Sequence, residues 1–413
     1  MNFLFVHQNM PGQYREMVQW LAGRGGHRIV FLTQRKTPPA IDGVQAVTYR
    51  PHRVAGKDAY GLSRVWEDAT GAGYGAALAA RKLGEDGFTP DIIIGHSGWG
   101  ELLFLKQVWP DVPILGLFEY YYTMQGGTVG FDPEEPVNDH APFLMQARNA
   151  VPCASIHVVD QGVVPTQWQK DRFPSLFQDR LALCHDGIRT DRLLPDKTAQ
   201  VLLGRLGRPL TARDEVITYV ARNLERTRGF HVLMRALPRI LAERPEARVI
   251  ILGGNETSYG PDSRTPGGLR AEMEAEIGRR LDWNRVHFLG RVPYGDFQRI
   301  IQISRCHIYL TMPFVLGWSV MEAMSMQATI VASDVAPVRE VIEHGRNGLL
   351  VDFFDPEALA AQVVSVLKDP GDYAGLGEAA RADMVSRYDF LTRSMPEQAR
   401  LIASLVPGAP PLV

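Results

Sequence analysis

The sequence predicts two consecutive domains, each a parallel β-sheet wound with helices, and three observations carry that prediction. The chain has 413 residues, too many for one ordinary core, so two domains of about 200 residues each are the natural division. Short runs rich in β-branched and aromatic residues alternate with segments of helical period, the signature of parallel α/β construction. The alternation halts near Asp186-Gly187 and restarts at Val216, which gives two units of similar size and not a short repeat array.

In chain order, Phe3 to Val6 reads as the first strand, followed by a loop holding Pro11-Gly12. Tyr14, Met17, Val18 and Leu21 then mark one helical face, and Arg28 to Leu32 supplies the next strand. Asp91 to Ile94 and Val112 to Leu117 follow as strands. All-apolar runs of this kind suit a sheet covered on both faces. Asp186-Gly187 is a turn dipeptide with Pro195 shortly after it, so the join is set there. Residues 196 to 214 suit neither core, and Val201 to Leu210 predicts a small hairpin. The second series runs through Val216–Val220, Arg248–Leu252, Val286–Leu289, Ile308–Leu310 and Thr329–Ala332. Between its first two strands, Val232, Leu233, Leu237, Ile240 and Leu241 form one buried helical side. A last helix begins near Leu391, and the tail Pro407 to Pro411 is expected to fray. The expected domains are therefore 1–190 together with 391–413, and 191–390.

Composition narrows the function classes. Apolar residues make up 45% and charged residues 22%, which is ordinary for a globular chain and argues against disorder. A formal net charge of -2 gives no global attraction to nucleic acid or anionic lipid. Cys153, Cys184 and Cys306 stand at unrelated spacings, which fits a reducing compartment and argues against a disulfide scaffold or structural zinc. The opening residues lack the charged and apolar regions of a signal peptide. No run of about 18 apolar residues occurs. A cytoplasmic protein is expected. Weak peripheral contact with a membrane stays open, although no basic amphipathic stretch argues for it.

Chemistry concentrates in two stretches of the second half. Gly317-Trp318-Ser319-Val320-Met321-Glu322 opens an apolar helix. On one reading Ser319 and Glu322 form a reciprocal capping box. On the other, the free amides and positive dipole of that helix start grip a diphosphate. The second stretch, Tyr219 to Phe230, joins a strand to a helix and so lies at the carboxyl edge of the sheet, where ligands bind in open α/β folds. Arg222 and Arg228 in it either converge on an anion or are solvated cations. No metal-ligand cluster, GxSxG elbow or P-loop sequence is present.

Val331 to Ile342, running on through Gly345-Arg346-Asn347-Gly348 to Val351, resembles together with Glu322-Ala323-Met324 the C-terminal signature of the retaining family 4 glycosyltransferases. His185 to Arg192, Gly253-Gly254 and Phe288 to Val292 resemble further segments of that family. The resemblance implies the GT-B fold: two Rossmann-like domains facing a central cleft, with the C-terminal helix returning to the first domain. It implies that Arg222 and Arg228 hold a diphosphate, together with Gly317 and backbone amides near Ser319 and Val320. Glu322 would bind ribose hydroxyls, and Gly290, Arg291 and Val292 would line the base. Gly12 and Gln13 would lie near the donor phosphate and acceptor, and His96 would stand at a strand end facing the cleft.

Two positions depart from the family pattern. Phe314 stands where the first of two paired glutamates is usual, so the sugar pocket must be built differently. Glu119 replaces a histidine, and either orients a hydroxyl, serves as a base, or is a solvated carboxylate. The aromatic stretch Tyr120-Tyr121-Tyr122, with the Gly-rich residues after it, either shapes an acceptor site or packs as a satellite core. The expected activity is transfer of a hexose-like sugar from a nucleoside diphosphate-sugar to a glycan, lipid-linked or small-molecule acceptor. Configuration would be retained with no metal and no cofactor. The rivals are an epimerase or hydrolase on the same fold, and a non-catalytic binder of sugar nucleotides.

Overall fold

A computed structural model describes every residue except 205, 259, 261–264 and 413. The chain divides into two compact units. The first comprises Met1–Gly130, Glu135–Gly187 and Phe390–Val413, and the second Phe131–Glu134 and Ile188–Asp389.

The first unit holds a seven-stranded sheet: β1 (Asn2–Val6), β2 (Arg28–Thr33), β3 (Val44–Thr48), β4 (Ile92–His96), β5 (Ile114–Leu117), β6 (Gln161–Val164) and β7 (Leu181–Leu183). Their order is β3-β2-β1-β4-β5-β6-β7, and every pairing is parallel. Helices cover both faces, so residues of both parities along β1 are buried. Leu4 and Val6 pack on one side, and Phe3 and Phe5 on the other with Met17, Val18 and Leu21. The C-terminal helix Met395–Leu405 adds Met395, Ala399 and Ile402 to that second layer. Leu412 is also buried there, just past the stretch Pro407 to Pro411, in which Pro407, Gly408, Pro410 and Pro411 are exposed.

In the second unit, β8 (Gln200–Leu202) and β9 (Pro209–Thr211) form the antiparallel hairpin. The six-stranded parallel sheet comprises β10 (Val216–Asn223), β11 (Arg248–Gly254), β12 (Val286–Gly290), β13 (Cys306–Tyr309), β14 (Ile330–Ser333) and β15 (Leu349–Val351). Its order is β12-β11-β10-β13-β14-β15, so the order reverses at β10, and ligand crevices arise at such reversals. The helix Phe230–Glu243 covers one face through Val232, Leu233, Leu237, Ile240 and Leu241. The helix Trp318–Ser325 covers the other through Val320, Met321 and Met324. Among the described residues no helix is long and apolar enough to cross a membrane.

Four residues from the N-terminal half, Phe131–Glu134, belong to the second unit. Phe131 packs against Phe353 and Phe354, with ring centroids 5.3 and 5.0 Å apart. Asp132 and Glu134 lie with His231, and their ligand-type atoms fall within 4.8 Å of one another, a grouping the sequence reading did not anticipate. Arg226 Nη1 reaches Glu134 at 3.0 Å and Asp132 at 3.6 Å, and Arg235 also pairs with Glu134. Hydrogen bonding to Arg235, opposed by burial and helped by Arg226, holds the Glu134 carboxyl down at about 2. Burial, with the Arg226 cation, lowers His231 to about 4. The acids are thus neutralised by two guanidinium groups, which would repel a divalent ion.

Candidate active site

In the second unit the site is built at the carboxyl ends of the strands. The β10–β11 register shifts between Val220 and Asn223. That irregularity ends regular pairing where Arg222 stands, as bulges beside ligand sites commonly do. Arg222 is exposed, and no described residue engages its side chain. Arg228 lies one turn further on, in the short 3-10 helix Arg226–Arg228. Its Nη1 donates to Thr311 Oγ1 at 2.9 Å and to the Val315 carbonyl at 3.4 Å. Its guanidinium sits 5.4 Å from the Phe314 ring centroid, within cation–π range. Phe314, the departure from the expected glutamate, therefore flanks a candidate phosphate-binding cation. Gly229 ends that turn at φ +66°, and a Cβ there would lie 2.5 Å from Leu310, so the backbone requires glycine.

The capping box does not form. The helix starts at Trp318 with Gly317 as N-cap and no side-chain cap hydrogen bond. Ser319 is then the second helical residue and Glu322 the fifth, each two positions past the place reciprocal capping needs. The Gly317 amide donates to Tyr309 Oη at 2.7 Å, while the first-turn amides at Ser319 and Val320 have no side-chain cap. Val320 itself is buried in the core. Glu322 Oε1 accepts from Tyr294 Oη at 2.6 Å. Gly290 ends β12 at φ +65°, followed by Arg291 and Val292. Arg291 Nη2 donates to Asn223 Oδ1 at 2.9 Å and to Glu256 Oε2 at 2.6 Å, which ties the end of β12 to the end of β10.

Sequence reasoning missed Tyr294, which has no motif of its own and meets Glu322 only through folding. Tyr294→Phe is expected to raise the donor KM about three- to tenfold with kcat little changed, because a typical hydrogen bond contributes about 0.5–1.5 kcal/mol net. Steady-state kinetics over a donor titration check this. An unchanged KM would separate the hydroxyl from donor binding.

The first unit assembles a second polar cluster. β1, β4 and β5 are parallel neighbours, so His7 just past β1, His96 at the end of β4 and Glu119 just past β5 emerge side by side. Gln13 Nε2 donates to Glu119 Oε1 at 2.9 Å, and His96 Nε2 lies 3.4 Å from Glu119 Oε2. The Gly98 amide donates to His96 Nδ1 at 2.9 Å, which leaves the ring proton on Nε2, towards the carboxylate. Burial raises the Glu119 pKa, but hydrogen bonds from His96 and Gln13 and the histidine charges outweigh it, so the net shift is downward. Burial and the neighbouring His96 hold His7 down at about 3. Gly12, at φ +54°, packs on the His7 ring, which a Cβ would meet at 3.0 Å.

Four of the expected residues, Gly12, Gln13, His96 and Glu119, thus come together, and His7 joins them unforeseen. Of the aromatic stretch, Tyr121 is buried in the core with Phe173, while Tyr120 and Tyr122 form an edge contact at 5.1 Å. His307, buried and 2.8 Å from Thr218 Oγ1, is a core residue.

Two parallel-sheet α/β units with such strand-end clusters define the GT-B class, and comparison with known proteins agrees. The fold is similar to sucrose-phosphate synthase from Thermosynechococcus elongatus, at TM-score 0.71 and 16% identity over 99% of this chain and 100% of that one. It is also similar to Anabaena HepE in complex with UDP and glucose, at TM-score 0.69 and 18% identity over 97% and 99% of the two chains. Residues 25–193 match the glycosyl transferase family 4 group, and residues 208–383 match glycosyl transferases group 1. The chain belongs to the family 4 glycosyltransferases. Among curated relatives, D-inositol 3-phosphate glycosyltransferase of Streptomyces scabiei is 29% identical over 49% of this chain and 44% of its own length. Phosphatidyl-myo-inositol mannosyltransferase of Mycolicibacterium smegmatis is 28% identical over 42% and 41%. The matches span less than half the length of these relatives.

Proposed function

We propose that the protein transfers a hexose-like sugar from a nucleoside diphosphate-sugar to a hydroxyl-bearing acceptor, with retention of configuration and without a metal ion. One observation carries the reading. Arg222, Arg228 and the uncapped start of the helix Trp318–Ser325 stand on loops at the carboxyl edge of one sheet. Paired guanidinium forks and helix-start amides stabilise a diphosphate without a divalent cation. Glu322, accepting from Tyr294, would take the ribose hydroxyls, and Gly290 to Val292 would lie along the base. The anomeric carbon–phosphate oxygen bond breaks, the acceptor oxygen bonds to that carbon on the same face, and a departing phosphate oxygen takes the acceptor proton. Glu119, held by Gln13 and His96, orients a sugar or acceptor hydroxyl. The curated relatives, named for inositol phosphate and phosphatidylinositol acceptors, favour a polyol or a lipid-linked polyol among the acceptor classes.

The second reading, a binding protein without turnover, is favoured by Phe314. Calorimetric titration with UDP-, GDP-, ADP- and TDP-sugars, followed by measurement of free nucleotide diphosphate, separates the readings. Binding of one nucleotide class is expected, with Arg222→Ala weakening it at least about tenfold and with diphosphate released only when acceptor is present. Release at the same rate without acceptor would identify a hydrolase. No release over a broad acceptor panel would leave the binding protein.

A further inference from the structure

Beside the polar cluster of the first unit stands an exposed tryptophan. From Ile92 to Leu103 every residue is buried except Gly98, which is half-buried, and Trp99, which is 46% exposed. The short turn Ser97–Trp99 that carries it is fixed on both sides. Ser97 Oγ donates to the Leu117 carbonyl at 2.8 Å, and the Ser97 carbonyl accepts from Ser155 Oγ at 2.9 Å. Past the turn, Glu101 is buried with Oε1 accepting from Tyr49 Oη at 2.9 Å, and Leu102 lies in the core. A single exposed aromatic is ordinary on a protein surface. Here, however, a pinned backbone holds a large apolar ring out of a core that takes in both of its flanks, and forgoes the burial such a ring usually gains.

Its location gives the ring a use. The strand order of the first sheet reverses between β1 and β4, the kind of place where α/β sheets open a crevice, and Trp99 follows β4 there. The indole stacks on the His96 ring, with centroids 6.1 Å and planes 26° apart, while His96 Nε2 faces Glu119 Oε2 at 3.4 Å. The Glu119 side chain is itself 29% exposed. Each of its oxygens uses one lone pair on Gln13 or His96 and keeps another for a hydroxyl. An apolar plate thus stands next to a hydroxyl-binding carboxylate. Saturated sugar rings and cyclitols divide in the same way, with C–H groups over their faces and hydroxyls around the rim. We propose that Trp99 is the stacking platform of the acceptor site, and that the acceptor presents a pyranose or cyclitol ring, its C–H face on the indole and a rim hydroxyl on Glu119. An open-chain polyol has no such face. A nucleobase would also stack on an indole, and the test separates the two. The assignment rests on the transferase reading only in taking this cluster as the acceptor side.

The full chain is labelled with 5-fluorotryptophan, and the Trp99 fluorine NMR signal is identified by its loss in Trp99→Phe. It is titrated with myo-inositol and with the methyl glycosides of glucose, mannose and N-acetylglucosamine. D-mannitol is the open-chain control, and UDP and GDP are titrated alone. At least one cyclic probe is expected to move the signal saturably and to bind at least about tenfold more tightly than mannitol. By calorimetry, Trp99→Ala is expected to lose that advantage and Trp99→Phe to keep part of it. Should Trp99→Ala fail to fold, the wild-type signal and Trp99→Phe still decide. A signal unmoved by every cyclic probe, equal binding of mannitol, or undiminished cyclic-probe affinity in Trp99→Ala would overturn the proposal. So would a shift caused by the nucleotides and by no cyclic probe, which would make the ring a base platform. Release of nucleoside diphosphate is measured separately. Its absence, with ring binding intact, would end the transferase reading and leave Trp99 as the platform of a ring-binding site.

Discussion

Alanine at Arg228 is expected to lower kcat for sugar transfer by about 10²- to 10³-fold, the usual cost of removing one preorganised charge donor from a reacting anion. The fold should tolerate the change. The turn that carries Arg228 is held by its backbone, since Tyr219 Oη donates to the Arg228 carbonyl at 2.6 Å and Gly229 closes the turn. The side chain itself contributes hydrogen bonds to Thr311 and Val315, and losing a typical bond of this kind costs about 1 kcal/mol. Melting is therefore expected to shift by only a few degrees. Lysine at this position restores charge but not the planar fork or the flat face against Phe314, so it should recover only part of the rate. Steady-state kinetics beside calorimetric nucleotide affinity check the pattern. Full turnover in Arg228→Ala would remove the diphosphate site from this loop.

Such a prediction was partly legible before folding was known, because the strands that frame the site are uninterrupted apolar runs. Ile92 to Ile94 and Val249 to Leu252 are buried on both faces and allow few other readings. β3, at the sheet edge, leaves Gln45, Ala46 and Thr48 exposed, and β7 is only three residues long; neither carries a pattern that can be separated from loop. The 22-residue helix Arg64–Glu85 was hidden by its glycines. One of these, Gly71, lets the Arg53 carbonyl cross where a Cβ would lie at 1.9 Å. Local motifs also misled. Ser319 and Glu322 match a capping box, yet the helix starts at Trp318, two residues before that box would start it, and Glu322 turns to Tyr294 instead. His7 carries no signal of its own, because its role comes from the pairing of β1 with β4, and strand order is not written in either strand. The docking of Phe131–Glu134 on the second unit is equally a long-range result, since Arg226 and Arg235 lie about 100 positions away from it.

The second large effect concerns Glu119. Glu119→Gln is expected to lower kcat/KM for acceptor by about 10²-fold, the lower range for a positioned acid–base or hydrogen-bonding group, with nucleotide binding by the second unit unchanged. In the wild type one carboxylate oxygen accepts from Gln13 and the other faces the proton on His96 Nε2. An amide group turned either way sets its N–H₂ against one of those donors, so the pair is broken. The pH dependence separates positioning from proton transfer. The folded pKa of Glu119 lies below its ordinary value, so its stabilising bonds are fully present above the unfolded value and are lost as pH falls through the folded one. His7 is lowered to about 3 from 6.5. Between those values the unfolded chain binds the extra proton, so stability decreases as pH falls across that window. A His7→Gln variant should show a weaker acid dependence of Tm. Neither group changes charge between about pH 5 and 8, so the transfer rate of the folded enzyme should be flat there on their account. General-base action would require acceptor binding to raise the Glu119 pKa into the range of about 6–7, and the wild type would then show an acid limb there. That limb would vanish in Glu119→Gln, and its appearance would replace the orienting role with general-base catalysis.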